Sequence, residues 1–106
     1  MIDDKKYIIS KLKETVYRYD STANILLFGS RARGDWSEES DWDFLILSSF
    51  PENDSIKNKI RKDIVEEIEL VVLESVNTLF HNKEIWQKEY AVTNIFKSIQ
   101  LEGIVI

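Results

Sequence analysis

The chain has 106 residues, a formal net charge of −5, 43% hydrophobic and 11% aromatic residues, and no cysteine. That is one domain of ordinary globular composition, residues 1–106, which excludes a disordered segment, a disulfide framework and a thiolate metal site. The acidic balance argues against a broad nucleic-acid-tracking surface. No apolar run reaches the ~20 residues of a membrane helix and no leader pattern opens the chain, so the expectation is a cytoplasmic protein with no membrane partner.

Residues 3 to 20 read as a helix. Ile8, Leu12, Val16 and Tyr19 recur on one face, with Lys5, Lys6, Lys11, Lys13 and Glu14 on the others and Asp3 or Asp4 as the cap. Asp20 to Asn24 breaks it. Residues 25 to 28, Ile-Leu-Leu-Phe, form a short apolar run without alternation, the pattern of a strand covered on both faces.

The next fifteen residues, Gly29 to Asp43, are the ones the chain is organised around. Gly29 stands where a chain leaving a strand turns sharply or lets a ligand approach its backbone. Ser30 is placed to cap a short helix from Ser30 to about Ala32 or Arg33, and free N–H groups at such a start attract phosphate. Gly34-Asp35 ends that helix, and Trp36 to Ser40 crosses over as an exposed loop. A second strand, from about Asp41 to Leu47, is apolar on both faces beyond its acidic start, which marks an interior strand. Asp41 and Asp43 are spaced i, i+2 and share one face. Two adjacent carboxylates repel, and the usual neutraliser is a hard cation such as Mg²⁺, held by one or two carboxylates together with substrate phosphates.

Ser48 to Asp54 is a loop with the single proline, Pro51. A second helix begins at Ser55, with Ile56, Ile60 and Ile64 inward and Lys57, Lys59, Arg61 and Lys62 on a solvated face. The apolar Leu70 to Leu73 centres an expected third strand at about Glu67 to Glu74. From Ser75 onward the chain reads as one or two helices, through Ile85, Trp86, Tyr90, Ile95, Phe96 and Ile99, ended by Gly103. His81, the only histidine, falls in a polar loop. Together these elements predict an α/β (α+β) domain: a small mixed sheet with helices over it and a cleft at the strand ends.

Gly-Ser, ten residues, then Asp-x-Asp resembles the signature of the nucleotidyltransferases of the DNA polymerase β superfamily. With Gly29-Ser30-x-x-Arg33-Gly34 and the short length, the chain is similar to the minimal nucleotidyltransferases (MNT proteins). The resemblance implies Asp41 and Asp43 as ligands of Mg²⁺, one ion or two, Gly29 and Ser30 as the cradle of the distal phosphates, and Arg33 as a phosphate cation. A third acidic residue of the family stands on the next core strand. Glu69 is the match there, as metal ligand or base, with Glu67 and Glu74 as alternatives. ATP is the implied donor, and a HEPN-type toxin the implied partner, modified by its antitoxin on a hydroxyl. The competing readings are a small-molecule transferase needing a separate acceptor subunit and a catalytically silent binding module.

Overall fold

The computed structural model describes residues 4–106; Asp3, one of the two expected caps, lies outside them. The elements run α1 (Asp4–Tyr19), β1 (Asn24–Phe28), α2 (Ser30–Arg33), β2 (Trp42–Ser48), α3 (Ile56–Ile64), a π-helical turn (Val65–Glu69), α4 (Leu70–Val72), β3 (Val76–Asn82), α5 (Lys83–Glu89), α6 (Asn94–Glu102) and β4 (Ile104–Val105). The expected α/β architecture is present: a four-stranded mixed sheet in the order β3-β2-β1-β4 with helices on both faces. β1 pairs antiparallel with β2 and β4, while β2 and β3 are parallel. A parallel pair needs a crossover, and α3 to α4 supply it. No helix among the described residues is long and apolar enough to cross a membrane.

The two cores follow from strand alternation. Trp42, Phe44 and Ile46 of β2 and Ile25 and Leu27 of β1 pack against Ile8, Leu12 and Val16 of α1 and Ile60 and Ile64 of α3. Leu45 and Leu47 point the other way, onto Trp86 of α5 and Phe96 and Ile99 of α6. β2 is therefore the interior strand its pattern demands. Asp43, with Leu45 and Leu47, belongs to the α5/α6 face.

Three expectations are corrected. Within the segment 67–74, where a strand was expected, residues 67–72 are helical. Ile68 extends the four-residue spacing of Ile56, Ile60 and Ile64 and is fully buried in the same core, so tertiary packing outweighs the β-propensity of Leu-Val-Val-Leu. The third strand instead is β3, Val76–Asn82, which carries His81 out of the loop assigned to it. The imidazole is nearly buried, with ring centroids 5.2 Å from Trp86 and 4.2 Å from Tyr90, and Nδ1 against Glu52 Oε1. Glu52 Oε2 also accepts from the Asn82 backbone N–H at 2.7 Å, tying the proline loop to the end of β3. Finally, Gly103 is followed by a short edge strand, β4, which no pattern announced.

Candidate active site

Register explains how the site forms. Phe28, the last residue of β1, lies opposite Asp43 of β2, so the turn leaving β1 is delivered onto the Asp43 carboxylate. Gly29 has φ 75° and ψ −160°, a conformation essentially reserved for glycine. A Cβ placed on it would lie 2.5 Å from Asp43 Oδ2. Absence of a side chain is thus required twice, by the backbone and by the carboxylate. The Gly29 carbonyl accepts from Ala32 and Arg33 N–H, both at 3.0 Å, closing the single turn of α2, and Gly34 in the left-handed region (φ 90°) ends it.

Asp41 and Asp43 are brought together at the mouth of β2. Asn77 of β3 stands beside Asp43 in the parallel register and donates from Nδ2 to Asp41 Oδ2 at 3.2 Å and Asp43 Oδ1 at 3.3 Å. Burial pushes the Asp43 carboxyl up from the usual carboxylate range; the Asn77 hydrogen bond opposes this, the Asp41 charge adds to it, and Arg33 opposes it again.

Arg33 is exposed and held between Asp35 (3.3 Å) and Glu102 of α6 (3.2 Å). It lies near enough to Asp43 to favour its ionised form but is engaged with those two carboxylates. None of the three glutamates considered for a third carboxylate is hydrogen-bonded into the Asp41–Asn77–Asp43 cluster. Glu67 pairs with Arg18 at 3.0 Å and Lys11 at 3.6 Å, and the hydrogen bond from Arg18 holds its carboxyl below the ordinary range. Glu74 accepts from Trp42 Nε1 at 3.1 Å and Arg31 at 3.4 Å. Glu69 ends the π-helical turn instead of leading a strand, and lines a hollow with Arg61, Thr78 and Asn77. Among the described residues no cluster of three His, Cys, Asp or Glu side chains is placed to hold a metal.

Sequence reasoning missed two residues. Asn77 is one; the alternation Val76-Thr78-Phe80 against Asn77-Leu79-His81 marks the strand that carries it, but a neutral amide has no signature of its own. Arg31 is the other. Its guanidinium lies between the rings of Trp36 (4.3 Å) and Trp42 (4.4 Å) and donates to the Ser40 carbonyl at 3.1 Å. These contacts pin the Gly34–Asp41 loop and with it Asp41. They also wall a cavity of about 500 Å³ on the α1 side of the sheet, away from the carboxylate pair.

The donors converging here are hard oxygens, two of them charged, with the Asn77 amide across them and no side chain at Gly29 to crowd them. That set fits one Mg²⁺-like cation sharing substrate phosphates.

A family model for the nucleotidyltransferase domain matches residues 9–101, and the chain belongs to that family. Its fold is similar to that in a crystal structure of a toxin–antitoxin with AMP-PNP, at a TM-score of 0.61 and 20% identity, covering 98% of this chain and 72% of that one. A proposed nucleotidyltransferase from Sulfolobus solfataricus aligns at a TM-score of 0.48 and 19% identity, over 99% and 86% of the two chains. No curated protein matches the sequence.

Proposed function

We propose that the protein is a Mg²⁺-dependent adenylyltransferase that moves AMP from ATP to a hydroxyl of a partner protein, as the antitoxin of an MNT/HEPN toxin–antitoxin pair. The observation that carries this reading is the close approach of Asp43 Oδ2 to Gly29, which would set a phosphate cradle against a cation-binding carboxylate. Membership of the nucleotidyltransferase domain family supports the chemistry. The toxin–antitoxin whose crystal structure contains AMP-PNP supports the donor and the protein partner.

The Gly29–Ser30 backbone and the Ser30 hydroxyl bind the distal phosphates. Asp41 and Asp43 would hold Mg²⁺, which when bound would supply charge neutralisation for the nucleotide phosphates. Arg33, exchanging Asp35 or Glu102 for a phosphate oxygen, adds a cation at the rim. The partner's hydroxyl oxygen forms a bond to the α phosphorus, and the bond from that phosphorus to the oxygen bridging to the β phosphate breaks. Pyrophosphate takes the electron pair, and the hydroxyl proton passes to solvent or to a base on the partner. The chain's part is largely positioning, which supplies rate by orientation.

The test is intact-mass analysis of a HEPN-type partner incubated with the chain, ATP and Mg²⁺. The expected result is a gain of whole AMP units with the wild type and none with the double variant Asp41→Ala/Asp43→Ala. A partner that gains no mass yet is neutralised equally by both proteins overturns the transferase reading in favour of silent binding.

A further inference from the structure

We propose that Asn77 is the third ligand of this site and that the site holds one divalent cation, not two. The inference rests on the assignment of Asp41 and Asp43 as cation ligands made above.

The position beside Asp43 on the neighbouring strand is where a third charged oxygen would join the pair. There the chain has an amide. Asn77 reaches both carboxylates at once, through Nδ2, at 3.2 and 3.3 Å. An asparagine side chain offers a donor at one end of its amide plane and an acceptor at the other. Without a cation the N–H end faces the pair and offsets the repulsion between Asp41 and Asp43. When a cation arrives, a half-turn of the amide about its Cβ–Cγ bond puts Oδ1 in the same place, with no movement of β3. Asn77 thus serves both states, holding the pair by hydrogen bonds in one and coordinating in the other.

The ion count follows from charge. Two divalent ions ~3.5–4 Å apart repel strongly and need anionic oxygens to share between them. Asp41 and Asp43 contribute two negative charges and Asn77 none. Among the described residues Glu67 is engaged by Arg18 and Lys11, Glu74 by Arg31 and Trp42, and Asp35 and Glu102 by Arg33, while Glu69, on the helical side of the crossover, makes no hydrogen bond to the Asp41–Asn77–Asp43 cluster. Two carboxylates, an amide oxygen and substrate phosphates are the complement of a single hard ion. The donor set also lacks a third carboxylate to take the acceptor's proton, so Asn77 positions the ion and does no acid–base work.

Mn²⁺ titration of the intact chain in the presence of α,β-methylene-ATP, which cannot transfer AMP, tests this by electron paramagnetic resonance. The wild type is expected to bind one Mn²⁺. Asn77→Leu should weaken that ion by roughly tenfold or more. Asn77→Asp, which changes shape least, should bind a second Mn²⁺. Without metal it should melt below the wild type, through three adjacent carboxylates, and recover on adding Mn²⁺. Two Mn²⁺ on the wild type, or unchanged affinity and count in both variants, overturns the proposal. Folded wild type that binds the nucleotide analogue but no Mn²⁺ refutes instead the assignment of Asp41 and Asp43 on which it stands.

Discussion

Asp20, at the end of α1, shows how one buried carboxylate joins two loops. Burial alone would raise its pKa, but Thr22 Oγ1 (2.6 Å), Ser49 N–H (2.8 Å), Thr22 N–H (3.0 Å) and Ser49 Oγ (2.9 Å) all donate to it, and the value falls to about 2. Its folded pKa lies below the unfolded value of 3.8, so its stabilisation is complete above that pH and is lost as pH falls toward 2. Asp20→Asn should cost on the order of 2 kcal/mol at pH 7 in urea unfolding and flatten the wild type's loss of stability between pH 4 and 2. Asp43 has the opposite sign. Its folded carboxyl is protonated more readily than the unfolded one, so its ionised form is a cost at pH 7. Asp43→Asn without metal should melt at the wild-type temperature or slightly above, while transfer falls below roughly a hundredth. Gly29, Ser30, Asp41 and Asp43 were legible in the sequence because glycine, hydroxyl and paired carboxylates at fixed spacing each leave a local mark. Asn77 reaches the site only through strand pairing, 34 positions from Asp43, and nothing near it in the chain announces that.

At the scale of elements, the crossover from α3 to α4 is where local pattern and fold disagree. Leu-Val-Val-Leu reads as strand, yet the isoleucine row from Ile56 to Ile68 holds the backbone helical through a π turn. The helix stops at Leu73, in the left-handed region at φ 60° and ψ 39°, with its N–H donating to the Glu69 carbonyl at 2.8 Å. A leucine there is strained by roughly 1–2 kcal/mol, and its side chain is 83% exposed, so little packing offsets the strain. Leu73→Gly should therefore stabilise the protein by roughly 0.5–1 kcal/mol in denaturant titration, unusually for a leucine-to-glycine change. α1, β1, α2 and β2 fall within a residue or two of their expected bounds because breakers flank each one. β3 had no such punctuation on its N-terminal side and was placed about eight residues early. His81 followed it into the wrong environment.

For the whole molecule, β2 is the common wall of two cores. Phe44 faces α1 and α3, Leu45 faces α5 and α6, and both are fully buried. Phe44→Ala should cost about 3–5 kcal/mol and Leu45→Ala about 2–5 kcal/mol by calorimetry. Because one strand carries both, neither face can melt alone. Single-tryptophan variants retaining Trp42 in one core or Trp86 in the other should report coincident unfolding midpoints; separated midpoints would mean the faces are independent. The α/β class, with a sheet between helices, followed from strand and helix periodicity. Strand order did not, since β4 is two residues long and β3 was displaced.

The Gly29–Asp43 contact separates two kinds of sequence constraint. A side chain at position 29 is refused by the Asp43 oxygen and by the backbone conformation, whether or not the chain ever meets a nucleotide. Among the described residues the Ser30 hydroxyl has no hydrogen-bond partner, so folding places no comparable demand on it. In a saturation library sorted only for folded protein, position 29 should return glycine while position 30 drifts. Sorted for transfer, both should be fixed. A surviving glycine in a degenerate copy of this domain therefore testifies to architecture alone, and the serine beside it is the letter that records whether the chemistry is still in use.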